Sequence, residues 1–230
     1  MFGIIKSRSL KFVLLVALVI LLGVIGGQWA GRWFSASQGL SVSSSAIFSS
    51  NDQQLTERFL AQPLQNIGWK DLLTATEREL AVKYRQSSEL GFQQQMEVML
   101  QASSDKAYQQ SLISTDTVAG LDGQSISLSG YIVPVSINEK RQITSFFLVP
   151  YFGACIHFPA PAPNQMLYGR VPQGLNHYDI NQAYTVEGII SVGMFEDPQG
   201  TSAYLIDPVQ IKPFAGEPDD VRNHQATNAY

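Results

Sequence analysis

The first rhythm in the chain is a block of uninterrupted hydrophobic residues. Lys6, Arg8 and Lys11 precede an uncharged run from Phe12 to Gly27. Basic residues resist translocation, so they stay on the cytoplasmic side while the following chain is exported. At about 1.5 Å per residue that run covers about 24 Å, short of a hydrocarbon core of about 30 Å. Trp29 and Trp33 are placed to sit at the far interface and complete the span. The reading is a basic stub and transmembrane anchor over residues 1–33. A removed signal segment, cleaved near Phe34-Ser35-Ala36, is the alternative. Residues 34–50, rich in serine, read as a flexible linker.

A second rhythm, with spacings of three and four, predicts a helical segment over 51–118. Leu55, Phe59 and Leu60 mark a short amphipathic helix that ends before Pro63. Thr76 and Glu79 have capping-box spacing and predict a helix start near residue 77. Leu80, Tyr84, Ser88, Phe92, Met96 and Met99 or Leu100 then form one stripe, read as core packing along one long helix or two shorter ones.

From residue 121 the period falls to two. Ile126, Leu128 and Ile132 alternate with Ser125, Ser127 and Ser129, as in a half-buried strand. Further strands are predicted at 143–149, 166–171, 184–192 and 203–206, with 209–213 as an edge candidate. Gly130 and Gly188, inside strand patterns, predict sharp bends or close backbone approaches. Short, bent strands without intervening helices define a mainly β fold over 119–214. A small OB-like or partly open β-barrel is expected, preceded by the helical segment and the N-terminal transmembrane helix, with a sandwich as the alternative. Residues 215–230 lack periodicity and read as a disordered tail.

Composition narrows the partners. The 230 residues carry a net charge of -4 and no dense basic run, which argues against nucleic acid. With one cysteine, Cys155, an exported domain holds no internal disulfide and is stabilised by packing.

That cysteine lies in an unusual stretch, VPYFGACIHFPAPAPNQMLYG at 149–169. Pro159, Pro161 and Pro163 alternate with alanine and favour extended, polyproline-type backbone. In extended chain Cys155 and His157 share a face, so thiolate and imidazole are placed to share zinc or copper. Two ligands do not complete a structural zinc site, and His177, Asp179 or another chain are candidates for the rest. Two other readings stand beside the metal. In one, His157 activates Cys155 as a thiol nucleophile, with Asn164 and Gln165 as orienter or oxyanion donors. In the other, Cys155 is a small buried hydrophobe and the domain a non-enzymatic interaction module of the envelope.

The sequence resembles the bacterial DUF3299 family of exported proteins of unassigned function. The resemblance rests on Trp69, LDGQSISLSGYIVPV at 121–135, FFLVPYFGACIHFPAPAPNQMLYG at 146–169, YTVEGIISV at 184–192 and AYLIDPVQIKPF at 203–214. Ala160 and Ala162 interrupt a proline run that is more continuous in the family. By resemblance, Cys155, His157, Pro159, Pro163, Asn164 and Gln165 are the positions that look functional. Family members often occur beside ABC-transporter components, some in settings of metal supply. The resemblance therefore brings the metal reading forward and implies an accessory protein acting with such a transporter. Many members resemble secreted proteins or lipoproteins, whereas the N-terminal run of this chain predicts a single-pass inner-membrane anchor with the C-terminal domain in the periplasm.

Overall fold

The computed structural model describes residues 46–85, 90–154, 160–175 and 178–220. The apolar run at 12–27 lies outside the described residues. Among the described residues, no helix is long and apolar enough to cross a membrane.

Five strands make the framework: β3 (Ser125–Ile137), β4 (Ile143–Val149), β5 (Leu167–Arg170), β6 (Ala183–Asp197) and β7 (Gly200–Pro213). β3 pairs antiparallel with β4, and β4 with β5. β5 runs parallel to β7, β7 pairs antiparallel with β6, and β6 returns antiparallel to β3. The circuit β3-β4-β5-β7-β6-β3 is a closed five-stranded barrel. Closure removes the free edges that a partly open barrel or a sandwich would leave. Two short strands extend the sheet, with β1 (Phe48–Ser49) on β7 and β2 (Gln65–Asn66) parallel to β3.

The barrel interior is filled by inward positions, among them Ile126, Leu128, Ile132, Phe146, Leu148 and Ile206, which form one buried cluster with Trp69 and Leu72. A second cluster packs on the outside of β4. It joins Phe147, Val149, Tyr151, Ala154 and Met166, with Tyr131, Tyr168 and Phe195 against it. This second layer explains why β4 reads as continuous apolar sequence instead of alternating. Phe146 and Leu148 face in, Phe147 and Val149 face out, and all four are fully buried.

Both singled-out glycines mark close approaches. A Cβ at Gly130 would stand 2.8 Å from the Trp69 ring and 2.7 Å from the Val149 carbonyl oxygen. At Gly188 it would collide with the Asp207 carbonyl, where β6 and β7 shift register. The same irregularity unites the predicted strands 203–206 and 209–213. They are one strand, β7, and Pro208 is tolerated inside it because the ladder is already broken there.

Helices gather before the barrel: α1 (Gln53–Leu60), α2 (Ala75–Lys83), α3 (Phe92–Ser104) and α4 (Lys106–Ser111). The cap of α2 is Thr74 with Glu77, two residues before the predicted pair. Glu77 Oε2 accepts from both the Thr74 amide, at 3.0 Å, and its hydroxyl, at 2.7 Å. The sequence TATERE offers two overlapping boxes, and the earlier one is selected because its glutamate is buried. The stripe read as core packing is also corrected. Tyr84 is buried, but Phe92, Met96, Met99 and Leu100 on α3 are 76%, 43%, 56% and 64% exposed. A regular three-four spacing identifies a helix face without saying what covers it.

Beyond β7 the chain turns back over the barrel end. Phe214 donates its amide to the Ala183 carbonyl, and Pro218 and Asp220 are buried.

Candidate functional site: the mounting of the Cys-His segment

Cys155, His157, Pro159 and His177 lie outside the described residues. The chain on either side of 155–159 is described, and both sides are fastened to the barrel. Upstream, β4 delivers Tyr151 and Ala154 into the outer cluster, 6% and 0% exposed. Gly153 between them has φ 74°, a left-handed turn conformation suited to glycine. Phe152 stays 41% exposed and meets Tyr131 edge-on at 5.8 Å.

Downstream, Pro163, Asn164 and Gln165 form one turn of 3-10 helix. Proline at the first helical position fits, since its missing amide would have had no partner there. Asn164 and Gln165 are 0% and 3% exposed and are bonded through their amides. Asn164 Nδ2 donates to Glu77 Oε1 and to the Asp116 carbonyl, both at 3.0 Å, and its backbone amide donates to Ser114. Gln165 Nε2 donates to the Trp69 carbonyl at 3.0 Å. Asn164 Oδ1 is buried and has no donor among the described residues.

The network extends into the barrel end. The Tyr204 hydroxyl donates to the Leu72 carbonyl at 2.9 Å and accepts from the Val118 amide at 2.7 Å. Burial, aided by the nearby Glu77 carboxylate, raises the Tyr204 pKa above its usual value. Trp69 Nε1 donates to the Ser129 carbonyl at 2.8 Å. Five segments distant in sequence are thus tied together at Asn164 and Gln165.

This geometry bears on the catalytic reading. The Asn164 and Gln165 side-chain N–H groups, proposed as orienter or oxyanion donors, are committed to Glu77, Asp116 and Trp69. They stabilise the mounting and offer no donor to a substrate. Asp179, the alternative ligand, caps its own turn by accepting from the Asn181 amide at 2.9 Å. Among the described residues, no group of three or more His, Cys, Asp or Glu side chains is placed to hold a metal ion.

Sequence reading missed Glu77, Asp116 and the Trp69 carbonyl as partners. The overlapping capping boxes carried a signal for Glu77. Nothing local marks a backbone carbonyl as the acceptor of an amide far along the chain.

An open groove of about 280 Å³ lies on the outer surface across β5, β7 and β6, lined by Tyr168, Arg170, Phe195, Leu205 and Asp207 among others. Tyr168 and Phe195 stack there, ring centres 3.5 Å apart.

The fold and site define a class: a small closed β-barrel bearing a segment with buried residues on either side of a cysteine and a histidine. The chain belongs to the DUF3299 family, described as proteins of unknown function, whose sequence profile matches residues 69–213. It is also similar to a solved structure, a DUF3299 family protein from Pseudomonas aeruginosa PAO1. The two are 27% identical over 67% of this chain and 99% of that one, with a TM-score of 0.49. No curated protein matches the chain.

Proposed function

We propose that this protein is an envelope accessory protein that binds a soft metal ion through Cys155 and His157, with His177 as a further ligand. The barrel is OB-like in this reading, supported by the parallel β5–β7 pair that closes the circuit. Residues 12–27 anchor it in the inner membrane as a single pass, with the barrel in the periplasm and an ABC-transporter component as its partner. The basic flank before the apolar run supports the orientation. The transporter pairing rests on the family resemblance alone.

The observation that carries the metal reading is the double fastening of the segment. Ala154 on one side and Asn164 and Gln165 on the other are buried, so the stretch bearing thiol and imidazole starts and ends at fixed points. Fixed ends reduce the entropy lost when two side chains converge on one ion. Thiolate and imidazole suit zinc or copper(I) better than calcium or magnesium.

Titration of the purified full chain with zinc and with copper(I) tests the reading. Binding is expected to be lost in Cys155→Ala and in His157→Ala, and weakened in His177→Ala. Unchanged stoichiometry and affinity in the first two variants would remove the site. Cross-linking in native membranes tests the partner, and failure to recover a permease would count against it.

A second reading is favoured by the outer groove. Its stacked aromatic pair and the flanking charges of Arg170 and Asp207 suit a non-enzymatic interaction module that engages a partner protein without metal. Substituting Arg170 and Tyr168 would then abolish partner capture while metal content stays unchanged.

A further inference from the structure

Helix α3 has two apolar faces. Val98 and Ala102 are half-buried and share one side of the helix, and α3 packs against α4. Phe92, Met96, Met99 and Leu100 turn elsewhere and stay largely exposed, and no residue of α3 is buried. At about 100° per residue, these four fall within an arc of about 100° along a helix about 20 Å long. A continuous exposed stripe of this kind marks an interaction surface.

We infer that α3 lies on a lipid bilayer surface, with Phe92, Met96, Met99 and Leu100 in the boundary between headgroups and acyl chains. Two observations select a bilayer over another protein. First, the only charged side chain on α3 is Glu97, which lies outside the stripe, about 60° beyond Leu100 around the helix axis, and glutamines occupy much of the remaining surface. The stripe offers apolar contact without the charged or shaped features that specify a protein partner. Methionine side chains adapt to a surface with no fixed contour.

Second, the chain length limits how far α3 can be from a membrane. Residues 28–45 separate the apolar run from Ala46, where the described structure begins. Fully extended, that stretch reaches no more than about 65 Å. The inference therefore rests on the anchoring proposed above. With the anchor inserted, the barrel and α3 are confined close to the bilayer, and a stripe of four residues suffices because association is intramolecular.

The full chain is reconstituted into phosphatidylcholine vesicles, with p-benzoyl-phenylalanine placed singly at position 92, 96, 99 or 97. Flotation reports the anchor, and photo-crosslinking followed by mass spectrometry reports what touches α3. Positions 92, 96 and 99 are expected to yield severalfold more phospholipid adduct than position 97. Adding phosphatidylglycerol should leave those yields unchanged, since α3 carries no cation. A chain that fails to float overturns both this inference and the anchor. A chain that floats but gives no phospholipid adduct from the stripe, gives adducts to a second copy, or needs phosphatidylglycerol overturns this inference and leaves the anchor standing.

Discussion

Asn164 donates its side-chain amide to Glu77 Oε1 at 3.0 Å, joining residues 87 positions apart in a place closed to water. The bond couples the cap of α2 to the turn that receives the proline stretch. Asn164→Ala would leave a buried carboxylate oxygen and the Asp116 carbonyl without their donor, costing about 3 kcal/mol. Asn164→Asp should cost more, because it sets a second carboxylate against Glu77, and adding Glu77→Gln should recover part of that loss. Denaturant unfolding of wild type, Asn164→Ala, Asn164→Asp, Glu77→Gln and the Asn164→Asp/Glu77→Gln double variant closes the cycle. Equal stability of Asn164→Ala and wild type would show that the bond carries no net stabilisation.

Gly130 and Gly120 make a contrasting pair. Gly130→Ala forces a methyl group against the Trp69 ring and the Val149 carbonyl, whereas a Cβ at Gly120 meets nothing within 4 Å. Expected losses are about 2 kcal/mol or more at Gly130 and within about 0.5 kcal/mol at Gly120. Thermal melts of both variants decide the matter.

Alkaline pH should unfold the barrel through its tyrosines. Burial raises the pKa values of Tyr184, Tyr204 and Tyr178 above the usual 10.0, and the Tyr178 hydroxyl donates to the Ile132 carbonyl at 2.6 Å. A folded-state pKa above the unfolded value means that this stability is complete below about pH 10. It is lost as pH rises toward the folded values. Absorbance titration near 295 nm should show these phenols ionising late and together with loss of structure. Phenol ionisation near 10 in a still-folded barrel would contradict this.

Acid should loosen the helices first. The Tyr84 hydroxyl donates to Asp105 Oδ2 at 2.7 Å, and with the Tyr108 amide it lowers the Asp105 pKa below its usual value. The contribution is therefore complete above about pH 4 and disappears as pH falls through the lowered folded value. Asp105→Asn should make the α2–α4 region less sensitive to acid. Hydrogen exchange resolved by segment is the measurement, and equal protection of α2 and α4 at pH 7 and pH 3 would remove the proposed role.

Much of the barrel was legible because a period of two survives wherever one strand face is buried. Ile126, Leu128 and Ile132 announced β3, and the glycines at 130 and 188 announced close contacts. The limits of β7 were not legible, because Pro208 reads as a strand break until the bulge opposite Gly188 accommodates it. The exposed face of α3 was misread because periodicity reports which residues share a side and carries no information on whether another element meets them. In the candidate site, Asn164 and Gln165 stood out in the motif, but their work is to bind Glu77 and the Trp69 carbonyl. Those partners are brought near only by barrel closure.

The parallel pairing of Leu167 with Tyr204 has a consequence for biogenesis. Among the described strands β7 is the last to leave the ribosome, yet it bridges β1, β5 and β6. A growing chain therefore carries two bare strand edges, on β5 and β6, until residues 200–213 emerge, and only then can the circuit seal. Truncation anywhere within that last strand would leave an open sheet with unpaired edges, prone to aggregation and proteolysis, in place of a shortened but intact barrel.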